Sequence, residues 1–137
     1  MRFTSIVVAC AVALALAGVA FAGGDPSGTW MSESGKTKVR IAPCGGDGYC
    51  GTILAVMGGA QTDVNNPDAA KRSRALVGSL LINRMHPDGA SFKGELYDYT
   101  SGKTYTGKMT ANGDKLDLAG CILGGLICRS ETWSRSN

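Results

Sequence analysis

Between residues 29 and 135 the chain is a succession of short β-prone runs cut by turn sequences, and that rhythm leaves few folds open. Residues 37–42 alternate, with Val39 and Ile41 on one face and Lys38 and Arg40 on the other, the period of a half-buried strand. Residues 91–97 place Phe92, Gly94 and Leu96 together. Residues 103–110 do the same for Tyr105, Gly107 and Met109, and 115–121 turn Leu116 and Leu118 inward. Further runs span 29–33, 49–56 and 126–135; residues 75–83 are apolar on both faces and read as a buried strand. The turn signals between runs are Ser34-Gly35, Pro87-Asp88-Gly89, Ser101-Gly102 and Ala111-Asn112-Gly113-Asp114. Spacings near ten residues and the absence of a long helical period predict an all-β fold. The expected form is a small antiparallel up-and-down β-barrel of about eight or nine short strands. A barrel of that size holds packed side chains or one small ligand.

The ends of the run point the same way. Gly28-Thr29-Trp30 opens it and Thr132-Trp133-Ser134-Arg135 closes it, and the two become neighbours only if the sheet curls shut. Gly51, Gly78, Gly94, Gly107 and Gly120 lie inside strand runs, where each marks a bulge or a barrel bend. One interruption stands out, residues 57–74. There Asn66 reads as a helix cap and Pro67 as the first helical position, so 69–74 is expected to form one or two helical turns. A short helix at that point acts either as a lid over the barrel mouth or as a plain surface connection.

Residues 1–22 form no part of this pattern. Arg2, an apolar stretch over 6–20 and Ala20-Phe21-Ala22 have the layout of a secretory signal peptide with its small-x-small cleavage site. The stretch is shorter than the roughly 20 apolar residues that span a membrane. Cys10 lies inside the apolar run and not at its end, so it is not read as a lipidation site. The expected mature chain, 23–137, is a single domain with no further membrane span, located in the periplasm or outside the cell. Without Arg2 it carries 13 Lys+Arg against 11 Asp+Glu, a net charge of +2. The densest basic stretch, Lys71-Arg72-Ser73-Arg74, is too short for a nucleic-acid footprint.

Four cysteines remain, Cys44, Cys50, Cys121 and Cys128, and in an exported domain they read as two disulfides. Of the three pairings, spacing favours the local one. The segment from Cys121 to Cys128 is symmetric about Gly124-Gly125, so a two-residue hairpin turn there sets Ile122 against Ile127 and Cys121 against Cys128. Cys44 and Cys50 flank the flexible loop Gly45-Gly46-Asp47-Gly48-Tyr49. A redox site lacks its Cys-x-x-Cys, and the gaps exceed the two to four residues usual between zinc ligands.

Taken in order, Gly28-x-Trp30, Cys50-Gly51-x-Ile53, Asp63-x-x-Asn66-Pro67, Arg72-x-Arg74 with Leu76 and Gly78, Gly94-x-x-Tyr97-Asp98, Gly102-Lys103-x-Tyr105 and Thr132-Trp133-x-Arg135 carry a resemblance across nearly the whole mature chain. It resembles the bacterial exported family numbered 2147 among domains of unknown function. That resemblance implies a lipocalin-like, calycin-type barrel that binds a small apolar molecule, with no established activity. A looser similarity to lipocalins implies a closure role for Trp30 on the first strand, with Arg135 packed over its ring and Arg129 as the alternative partner. Such a cation–π contact is worth about 0.5–2 kcal/mol.

No catalytic constellation emerges. His86, the lone histidine, sits in a turn, and no serine lies in Gly-x-Ser-x-Gly. Asp63, Asn65, Asn66 and Asp68 lack the spacing of a calcium loop, and Asp98 reads as a turn-orienting carboxylate. No enzyme, metal or cofactor is expected. The expected partner is a small apolar ligand, held by the inward-facing residues Tyr97, Tyr105, Met109, Leu80 and Phe92, with the tyrosines as polar handles on an apolar wall. The alternative is a structural or interaction protein of the cell envelope with a filled barrel core and a protein partner that the sequence does not identify.

Overall fold

A computed structural model describes residues 24–136. The expected signal peptide, 1–22, lies outside the described residues. Eight strands follow in order: β1 (Gly28–Met31), β2 (Thr37–Gly45), β3 (Gly48–Val56), β4 (Leu80–Asp88), β5 (Ser91–Asp98), β6 (Lys103–Asn112), β7 (Lys115–Ile122) and β8 (Ile127–Ser136). Each pairs with the next, all antiparallel, and β8 returns to β1, so the barrel is closed. Closure rests on Thr29 opposite Ser136, Trp30 opposite Arg135 and Met31 opposite Ser134. The up-and-down order expected from the turn rhythm is the order observed.

An up-and-down chain places alternate connections at opposite ends. The β2–β3, β4–β5 and β6–β7 turns share one end with both chain termini; we call it the floor. The β1–β2, β3–β4, β5–β6 and β7–β8 connections share the other, the mouth. The floor half is packed solid: Trp30, Val39, Ile41, Ile53, Ile82, Met85, Phe92, Met109, Ala111 and Leu116 are all buried. Tyr49 meets Phe92 edge to face with ring centroids 5.4 Å apart, a favourable aromatic geometry. Arg135 seals the floor. Its guanidinium carbon lies 4.2 Å from the centroid of the Trp30 ring. Its nitrogens also donate to the carbonyls of Ser27 at 2.8 Å and Gly113 at 3.1 Å.

Strand β4 departs from the sequence expectation. The run expected over 75–83 is a strand only from Leu80. Before it, Ser79 N–H and Oγ both donate to the Leu76 carbonyl, which closes a turn, and Gly78 belongs to that turn. Pro87 falls inside β4, so the β4–β5 turn is Gly89-Ala90. Two register shifts in β3–β4 flank Gly51, and beside them Leu81 and Ile82 are both buried. A bulge turns both inward where strict alternation allows one. A second bulge near Arg84, at φ 50°, drops the backbone onto β5. A Cβ on Gly94 would stand 2.5 Å from the Arg84 carbonyl oxygen. Gly107 and Gly120 do not mark bulges. They pair with each other in a regular ladder and leave room for Met85, Leu96 and Tyr105.

Both local disulfides form, Cys44–Cys50 and Cys121–Cys128, with Cα–Cα distances of 5.6 and 4.1 Å. Cys121 faces Cys128 and Ile122 faces Ile127, as symmetry requires. The turn itself differs from the two-residue form: Leu123–Gly125 is a short 3-10 turn with Leu123, Gly124 and Gly125 all at positive φ. Leu123 does not pair with Leu126, and Leu126 is 86% exposed. The segment expected as helix over 69–74 is likewise only a 3-10 turn, Ala69–Lys71. Its cap is Asp68, whose carboxylate accepts from Ala70 N–H. Asn66 sits two residues earlier and accepts from Asp68 N–H. Among the described residues no helix is long and apolar enough to cross a membrane.

Candidate functional site: a cavity beneath a latched strap

The mouth half of the barrel is open where the floor half is filled. A cavity of about 330 Å³ enters there. Leu81, Leu96, Leu118 and Trp133 supply its apolar wall, and Ser32, Thr37, Tyr99 and Tyr105 its hydroxyls. Strand β8 contributes two charged side chains. Leu118 pairs with Glu131 and Gly120 with Arg129, so both share the inward face of the ladder with Trp133 and Arg135. Glu131 accepts a long bond of 3.4 Å from the Trp133 indole N–H. Arg135, and not Arg129, is the arginine over Trp30; Arg129 belongs to the mouth.

The cavity opens sideways because β1 is short. Four residues of β1 face ten of β8, and above Met31 no strand continues the ladder on that side. Glu33 from the β1–β2 turn fills part of the gap by accepting from the Thr132 N–H at 2.9 Å.

Residues 57–79 form a strap across the mouth. Its hold is the side chain of Asp63, 0% exposed. One carboxylate oxygen accepts the Tyr97 hydroxyl at 2.6 Å; the other accepts Asn66 Nδ2 at 2.8 Å and the Arg74 guanidinium at 3.0 Å. Burial raises the Asp63 carboxyl, but these donors and the Arg74 charge outweigh it and hold the group below its ordinary value. Burial and the adjacent carboxylate push Tyr97 up to about 12. A second hold lies at the β5–β6 turn. Asn65 Nδ2 donates to the carbonyls of Tyr99 and Thr100, each at 3.1 Å. Gly102, at φ 72°, packs directly on the Asn65 carbonyl, where a Cβ would collide with backbone. Asp98 braces that turn through Thr100 and Ser101.

The sequence-expected ligand residues separate into two groups. Tyr105 and Tyr97 border the cavity, although the Tyr97 hydroxyl is committed to Asp63. Met109 and Phe92 are core residues below it, because they stand on the same inner faces as Tyr105 and Leu96 but nearer the floor. Leu80 is 43% exposed; its bulged neighbour Leu81 takes the inner position. Sequence reasoning missed Leu81, Tyr99, Arg129, Glu131 and Trp133. The inward alternation of Arg129, Glu131 and Trp133 was readable once β8 was fixed by Cys128; the bulge at Leu81 carried no signal.

His86, expected in a turn, lies instead within β4, opposite Lys93 and toward the floor, with Nδ1 2.7 Å from Asp47 Oδ1 on the β2–β3 turn. Among the described residues no group of three or more His, Cys, Asp or Glu side chains could hold a metal ion. Near Asp63 the cationic place is taken by Arg74.

Comparison with known proteins agrees with this architecture. Protein HP1028 from Helicobacter pylori, described as belonging to the lipocalin family, superposes with a TM-score of 0.73 at 21% identity, covering 82% of this chain and 84% of that one. At that identity the likeness establishes the barrel fold. No curated protein matches the sequence. The family profile described as "Uncharacterized protein conserved in bacteria (DUF2147)" matches residues 28–135. The chain belongs to that family, with a lipocalin-like fold.

Proposed function

We propose that this protein is an exported binding module that holds a small, largely apolar ligand in the mouth half of its barrel, without catalytic step or cofactor. The observation that carries the reading is the 330 Å³ cavity above a solid floor, at the lower end of the size range of small-molecule sites. An apolar wall of leucines and Trp133 with a few hydroxyls and two charges of each sign, Lys36 and Arg129 against Asp98 and Glu131, suits a ligand with an apolar body and a polar end. The two disulfides support an oxidising compartment, the periplasm or beyond. The cavity weighs against the alternative of a structural protein with a filled core.

The test is direct. Protein purified from its native compartment is extracted with organic solvent and examined by mass spectrometry, and apolar fluorescent dyes are titrated into the emptied protein. A co-purifying amphiphile, or a saturable dye site lost on Leu118→Arg, supports the reading. Empty extracts together with no saturable dye site would sink it.

A further inference from the structure

The mouth holds a second cavity, about 410 Å³, between the strap and the barrel rim. Val56, Met57, Val64 and Leu76 give it apolar surface. It shares Lys36, Tyr99 and Thr100 with the barrel cavity, so these residues stand between the two. Tyr99 is the substantial divider. Its side chain runs from the end of β5 to β2, three strands away around the barrel, and its hydroxyl lies 2.6 Å from Thr37 Oγ1. It packs half-buried against the core, as do Val56 on one side and Leu96 on the other.

We propose that Tyr99 is a displaceable partition between two chambers of one site, and that the site takes a long single-chain amphiphile. The proposal rests on the ligand-binding reading above and specifies its ligand class. The backbone at Tyr99 is fixed, because Asn65 holds its carbonyl and that of Thr100. The ring is held across the mouth by its packing on the core and by one neutral hydroxyl pair. Rotation about the Tyr99 side chain therefore breaks one neutral hydrogen bond and lifts the ring off its packing against the core, moves no strand, and joins two apolar chambers in series. A short chain fits the barrel chamber with the partition closed. A long chain must displace it, so the Tyr99–Thr37 bond sets chain-length preference.

The experiment compares Tyr99→Phe and Thr37→Val with the wild type. Each removes the hydroxyl pair and keeps the shape. The probes are short-, medium- and long-chain saturated fatty acids, measured by displacement of a fluorescent fatty-acid analogue and by calorimetry. One neutral hydrogen bond corresponds to about a five-fold change in affinity. Both variants should bind the long chain about five-fold more tightly and leave the short chain unchanged. Equal changes for all lengths, or none for any, overturn the partition while leaving the ligand reading intact. If wild type and both variants bind no chain of any length, the ligand reading itself falls, and the partition with it.

Discussion

The Tyr97 hydroxyl donates to Asp63 at 2.6 Å, and through that bond the long β3–β4 connection is fastened to β5. Around it gather Asn66, Arg74 and the β5–β6 turn, so sequence motifs 34 to 35 residues apart meet at the rim of the mouth. A carboxylate with no solvent exposure is tolerable only with several donors, and Asp63 has three side chains supplying them.

Removing one donor should loosen the strap without opening the barrel. Tyr97→Phe is expected to cost about 1.5–3 kcal/mol, the range for a hydrogen bond to a charged group. Asp63→Ala should cost more, since Arg74, Asn66 and Tyr97 all lose their partner. Urea denaturation gives the total. Hydrogen exchange should show the loss concentrated in residues 57–79, and equal deprotection of β6 and β7 would contradict the latch.

The same cluster fixes a pH window. Asp63 has its folded pKa held below the unfolded value near 3.8, so its contribution is present above that value and lost as pH falls through the folded pKa. Tyr97 is raised from 10.0 to about 12, so its contribution is full below pH 10 and disappears as pH climbs towards 12. Strap protection should therefore be flat through the neutral range and fall at both extremes. Tyr97→Phe should abolish the alkaline loss attributable to this residue; an unchanged alkaline limb would refute the assignment.

Gly102→Ala tests the second hold. The position combines positive φ with backbone contact to Asn65, so an alanine there is strained and displaced together. We expect a loss of about 2–3 kcal/mol or a detached β5–β6 turn. Gly35→Ala is the control: it also has positive φ, but no neighbour lies within 4 Å of its Cβ position. Its cost should be the smaller.

Arg135→Ala should lower stability by about 2 kcal/mol, combining a cation–π contact with lost bonds to backbone carbonyls. Ligand affinity of the fraction that stays folded should be unchanged, because the floor is sealed off from the mouth by the packed core. Affinity lost at unchanged stability would place Arg135 in the site.

Replacing Cys121 and Cys128 together by serine should cost roughly 2–2.5 kcal/mol, the chain-entropy value for so short a loop. The pair closes a seven-residue separation at the mouth end of β7 and β8. Circular dichroism should retain the barrel spectrum at a lower unfolding midpoint; loss of the spectrum would show that the hairpin is required for closure.

The strand rhythm, the order of pairing and both disulfides were legible because each depends on period, turn chemistry or local symmetry, whereas the Trp30–Arg135 contact was implied by the similarity to lipocalins. The start of β4 was not, since an apolar run such as 75–83 has no period to locate the Ser79 turn within it. Bulges hid Leu81 from an alternation argument, and alternation alone could not say at what height Met109 and Phe92 stand in the barrel. The strap was noticed for its composition, yet its purpose depends on Asp63 meeting Tyr97, a contact between distant segments that only the fold creates.

The closing strand has one more consequence. The residues that seal the floor, Ser27 and Arg135, are 108 positions apart, so the barrel cannot be completed until nearly the whole span between them is free to fold. Until then β8 is missing, and β1 and β7 are bare edges able to pair with other chains. The late-formed contact at Trp30 is thus also the step that ends exposure to aggregation. Placing the seal between the first strand and the last keeps the ladder open until both are present and lets it shut in a single step.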